Sequence, residues 1–110
     1  MNTQKEIKEI EKLKIMLDKA NIPYEINDDI MVINPKYKIY RVAYPSIQDI
    51  VCSAVQGYCT YGYEANLIEI QGLAQYEESD EVLGWLTAED VFDRIYNHWL
   101  KKKCNQKQVE

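Results

Sequence analysis

Apolar residues recur at helical spacing at the two ends of the chain, and between them the pattern changes to short strand-like runs. That order restricts the fold more than any other feature of the sequence. Within Thr3 to Ala20, residues Ile7, Ile10, Leu13, Met16, Leu17 and Ala20 share one broad helical face. Lys5, Lys8, Lys12 and Lys19 lie opposite, interleaved with carboxylates, as on a solvated face. The stop is well signed: Asn21 suits the left-handed position after the helix, Ile22 supplies the apolar contact, and Pro23 forbids continuation. At the other end Thr87 reads as an N-cap with Asp90 completing a capping box, and Leu86 and Val91 form a hydrophobic staple around it. Ala88, Val91, Phe92, Ile95 and Trp99 give this second helix its core face over 87–102, and residues 105–110 read as a frayed polar tail.

Between the helices, Tyr24–Ile26, Ile30–Ile33, Tyr37–Tyr44, Ile50–Gln56, Leu67–Leu73 and Val82–Leu86 read as strands, with Gly84 marking a bulge. No linker or composition break divides the chain, so residues 1–110 are expected to form one domain. The expected architecture is α+β: an antiparallel sheet of four to six strands, with the N-terminal and C-terminal helices packed on one face. The expected core comprises Ile10, Leu13, Leu17, Val51, Val55, Ile68, Ile70, Phe92, Ile95 and Trp99.

Charge is segregated along the chain. Val42 to Asp93 holds ten carboxylates and no lysine or arginine. Four acids, Glu77, Glu78, Asp80 and Glu81, fall in one loop before the last strand; Glu64, Glu89 and Asp90 complete the candidate acidic face. The loop lacks the ligand order and central glycine of a calcium loop, so no metal site is expected. A net charge of −5 argues against direct nucleic-acid binding, which needs a basic footprint. No apolar run is long enough to span a membrane, and the three cysteines form no CxxC pair. These features point to a cytoplasmic setting with reduced thiols. The single histidine, His98, has no nucleophile motif beside it, and no catalytic constellation or cofactor motif is present. The sequence therefore argues against an enzyme.

A second candidate feature is the run from Gly57 to Glu64. Its two glycines permit close backbone approach, and Tyr58, Tyr61 and Tyr63 supply stacking surfaces. With Arg41 or the lysines brought near by folding, this loop would hold the base and phosphate of a nucleotide signal.

Arg41-Val42, Val51 to Val55, Tyr61 to Glu64, Leu67 to Leu73 and Val82 to Phe92 resemble a family of small phage and prophage proteins of Gram-positive gut bacteria. The resemblance covers most of the chain after Ile10. It implies a setting, an infected or lysogenic bacterial host, and assigns no activity to any residue. In that setting the favoured reading is a non-enzymatic inhibitor that blocks a host protein with a basic surface through its acidic face. The second reading is a sponge for a nucleotide signal at the Tyr/Gly loop. The third is an accessory phage protein that self-associates as a homo-oligomer.

Overall fold

The structure, a computed structural model, describes residues 7–28, 38–58 and 60–108, with side chains as far as Cys104. Helix α1 spans Glu9–Lys19 and α2 spans Ala88–Gln108; between them run β1 Glu25–Ile26, β2 Ile39–Pro45, β3 Ile50–Gly57, β4 Ile68–Gln71 and β5 Val82–Leu86. The strands form one sheet in the order β1-β2-β3-β4-β5 with every neighbouring pair antiparallel, an α+β meander. The expected strand at Ile30–Ile33 and the thiol of Cys59 lie outside the described residues.

Local chemistry fixes both ends of the helical layer. Asn21 takes φ 58, the Ile22 amide donates to Leu17 O at 3.0 Å, and the Asn21 amide donates to Asp18 O at 3.1 Å. This is the Schellman pattern, and it delivers Ile22 to the core at 3% exposure. At α2 the capping box is reciprocal: the Thr87 amide donates to Asp90 Oδ2 and the Asp90 amide to Thr87 Oγ1, each at 3.1 Å. Leu86 and Val91 are both buried around it, as the staple requires.

The α1 start differs from the expectation. Lys8 is extended, with φ −61 and ψ 143, and the helix begins at Glu9. Its first orphan amides are taken by distant side chains: Ile10 N donates to Gln56 Oε1 at 2.9 Å and Glu9 N to Asn66 Oδ1 at 3.2 Å. Gln56, buried at the end of β3, also donates to Asn66 Oδ1. At the other end of the chain α2 continues past residue 102, as far as Gln108.

α1 packs on β2 and β3, α2 on β4 and β5, and the helices pack on each other. Ile10, Leu13 and Leu17 meet Val42, Tyr44, Cys52, Ala54, Ile68, Ile70, Val91 and Ile95 in one buried cluster. In β3 the expected burial of Cys52 holds, but the expected core residues Val51 and Val55 lie on the opposite face. Register pairs Val42 with Ala54 and Ala54 with Ile70, so Cys52, Ala54 and Gln56 face the helices. Val51 and Val55 are only half-buried. The run is apolar on both faces, so alternation carried no phase information. Phe92 and Trp99, expected in the centre, border the cluster as partly buried side chains.

Candidate functional site

Residues 72–81 join β4 to β5 and carry the acidic run. The neck closes where the Gly72 amide donates to Glu81 O at 2.9 Å. Gly72 has φ 95, and a Cβ there would collide with the Val51 carbonyl oxygen, so only glycine fits. Leu73 (φ 62) and Tyr76 (φ 66) are also left-handed, which costs each about 1–2 kcal/mol. Leu73 is fully buried, which offsets its share.

Tyr76 and its neighbours are held by α2. Arg94 Nε donates to Ala74 O at 3.3 Å, its Nη1 donates to Asp90 O at 2.8 Å, and its guanidinium lies 4.6 Å from the centre of the Tyr76 ring. The Tyr76 hydroxyl donates to Asp93 Oδ2 at 3.3 Å. One turn further along, His98 Nε2 meets Glu78 Oε2 at 2.8 Å. The loop is thus strapped to successive turns of one helix. Among the described residues, no hydrogen bond or ion pair engages the exposed carboxylates of Glu77, Asp80 or Glu81.

His98 also reaches inward: its Nδ1 is 2.7 Å from the Tyr44 hydroxyl. Burial pushes the Tyr44 phenol up to about 12. It therefore keeps its proton; in the neutral ring that donates Nε2–H to Glu78, Nδ1 is the acceptor for that hydroxyl. The hydrogen bond from His98 holds the Glu78 carboxyl below the usual carboxylate range, and Lys102 acts in the same direction. A Tyr–His–Glu chain has the connectivity of a nucleophile–base–orienter set, but its hydroxyl end is 1% exposed and its acidity is suppressed. That is the reverse of an activated nucleophile. The neighbouring Cys52 thiol, fully buried, is pushed by burial to about 12 and stays protonated. The arrangement is a buttress that ties the acidic loop, through α2, to the core.

The fold does not bring all the candidate acids together. Glu64 lies in the 3-10 turn Tyr63–Ala65 between β3 and β4, and Glu89 and Asp90 lie in the first turn of α2. Ile68 pairs with Leu86 at that end of the sheet and Gln71 with Val82 at the other, so Glu64 and the loop acids sit at opposite ends of the β4–β5 pair, whereas Asp90 is nearer the loop, since Arg94 bonds both Asp90 O and Ala74 O. Glu64 is thereby separated from the loop acids of the expected single patch. Asp90 is moreover committed to the cap.

Tyr58, Tyr61 and Tyr63 do converge. With Glu64 and Trp85 they line a cavity of about 400 Å³. Tyr58 and Tyr63 meet edge to face, with ring centroids 6.4 Å apart. Arg41 does not line it. It sits on β2 opposite Val55, with its amide donating to Asp28 Oδ1 at 3.1 Å. Arg41 is therefore missing from the aromatic pocket as a phosphate partner, and of the lysines Lys8 lines only the neighbouring cleft with Tyr63 and Glu64. Sequence reasoning missed Trp85, Arg94, Tyr76 and Asp93; the one signal near them was Gly84. The β4–β5 pairing slips between Ile68 and Ile70, opposite Leu86 and Leu83, so the extra residue does fall at Gly84–Trp85.

Fold and site define a small α+β protein with a fixed acidic loop at one end of its sheet and an aromatic cavity at the other. The chain matches no protein-family model, no curated protein and no solved structure. Among the described residues no helix is long and apolar enough to cross a membrane, and no three His, Cys, Asp or Glu side chains are grouped to hold a metal ion.

Proposed function

We propose that this protein is a non-enzymatic binding protein whose β4–β5 loop docks on a basic surface of a partner protein. The observation that carries the reading is the strapping of that loop by Arg94, Asp93 and His98 while Glu77, Asp80 and Glu81 project unpaired among the described residues. A loop already held in one conformation loses little entropy on docking. Its carboxylates attract a basic partner at long range; the chain has no lysine or arginine between Val42 and Asp93, and the α2 cations beside the loop, Arg94 and Lys102, make no ion pair with Glu77, Asp80 or Glu81 among the described residues. In the phage setting that the sequence resemblance implies, the partner is a host protein whose basic groove the acids occupy, and the outcome is inhibition.

The test is capture of partners from a bacterial host lysate at low and high salt, using the native chain and E77K/D80K/E81K. Glu78 is left intact so that the His98 contact survives. The expected result is a partner with a basic surface, weakened by salt and lost in the variant. Equal recovery by both chains would show the loop to be a solubilising surface.

A further inference from the structure

The Tyr/Gly loop and the β5 bulge are built against each other. Trp85 N donates to Tyr61 O at 3.4 Å. A Cβ on Gly84 would strike the Tyr61 side chain, and one on Gly62 (φ 95) would come within 3.1 Å of the Trp85 backbone. Both glycines are needed for that approach. Tyr61 N is in turn fixed by Glu69 Oε1 at 2.8 Å. The approach leaves two large aromatic side chains in solvent: Trp85 and Tyr61 are each 62% exposed. Trp85 also holds φ 63, a conformation that a bulky residue rarely adopts. A bulge re-aims a side chain, and here the re-aimed side chain is a tryptophan that contributes little to the core. Strain that serves packing would bury Trp85; this strain presents it.

We propose that the cavity between Trp85, Tyr61 and Glu64 is a binding site for an organic cation, a guanidinium or an alkylated ammonium. The ring faces carry partial negative charge and attract a cation placed over them. Glu64, exposed on the cavity lining, adds a full negative charge, and no lysine or arginine lines the cavity. An anionic nucleotide would meet that carboxylate with no cationic side chain on the cavity lining; Lys8 adjoins Tyr63 and Glu64 only in the neighbouring cleft. The volume of about 400 Å³ suits a side chain or a small ammonium compound. The cavity lies at the opposite end of β5 from the acidic loop, so this inference stands whether or not that loop docks on a partner.

The experiment titrates the full chain with N-acetyl-arginine methylamide, N-acetyl-trimethyllysine methylamide and choline. N-acetyl-norleucine methylamide is the neutral control and AMP the anionic one. Binding is read from the indole NMR signal of Trp85, assigned with W85F. Saturable shifts are expected with the cations, and the neutral and anionic controls should be at least about tenfold weaker. E64Q should weaken the cations by roughly threefold to fivefold. W85L and Y61L should abolish binding while W85F retains part of it, the Trp85 variants being read from the backbone amide signals of Gly62 and Glu64 and each variant checked for an unchanged thermal melt. Should a variant fail to fold, E64Q and the ligand series still decide. Tighter binding by the amino-acid amides than by choline places the cation on a peptide; the reverse places it on a free ammonium compound. Equal or tighter binding of norleucine amide or AMP, or no shift with any cation, overturns the proposal.

Discussion

Single residues in this protein carry two kinds of burden, and their substitutions should differ accordingly. His98 satisfies the buried Tyr44 hydroxyl on one side and the exposed Glu78 carboxylate on the other. His98→Leu leaves the Tyr44 hydroxyl without its acceptor, at a cost of about 1–3 kcal/mol. Tyr44→Phe in the same chain removes the orphaned group, so Y44F/H98L should be more stable than H98L alone. Urea unfolding of the four-member cycle measures this; a double variant less stable than H98L would mean that the pair matters through packing instead. Trp85 carries the opposite burden. Trp85→Gly relieves about 1–2 kcal/mol of left-handed strain and loses a side chain that is largely in solvent. The added freedom of glycine when unfolded takes back about 0.5–1 kcal/mol. The net change should be near zero, and a loss above about 2 kcal/mol, a size reserved for core or network damage, would show that Trp85 holds the fold rather than decorating it.

At the scale of elements, the two helices are joined by one carboxylate. Glu9 in the first turn of α1 accepts from the Ala88 amide at 2.8 Å and pairs with Lys12 at 2.8 Å. Burial alone would raise its pKa, but the Lys12 and Ala88 contacts outweigh burial and hold it below 4.5, with Asp90 opposing them. A carboxyl depressed in the folded state contributes stability above its unfolded pKa and loses it as pH falls through the lower folded value. The urea midpoint should therefore drop on acidification below about pH 4.5. Glu9→Gln keeps the Ala88 acceptor and loses the charge, so its midpoint should lie below the native one at pH 6, and the gap should close as the pH falls through the depressed pKa of Glu9. Parallel curves across that range would exclude Glu9 as the titrating link. The same contact explains what the sequence could and could not disclose. The α2 start was legible because Thr87, Asp90, Leu86 and Val91 are all local. The α1 start was not, because its amides are capped by Gln56 and Asn66, far along the chain. The phase of β3 was hidden by apolar residues on both faces. The acidic loop was visible as composition, but its straps come from α2, and the aromatic cavity needed a tryptophan that only a bulge turns outward.

For the whole molecule, the balance lies between how much charge is displayed and how firmly it is displayed. Net charge alone favours encounter with any basic partner and selects poorly among them. Fixing the carboxylates on a strapped loop converts a diffuse field into a shape, and Arg94 is the group that separates the two contributions. It binds Ala74 O and covers Tyr76, so Arg94→Gln should free the loop while making the chain one unit more negative. If charge alone drives docking, this variant should capture at least as much basic partner as the native chain. If the strapped geometry matters, capture should fall although every acid remains, and amide hydrogen exchange across residues 73–81 should accelerate while that of β3 does not. The expected result is faster loop exchange together with weaker capture. Undiminished capture from a loop shown to be loosened would reduce the role of the straps to stability, leaving the acids to act by field alone.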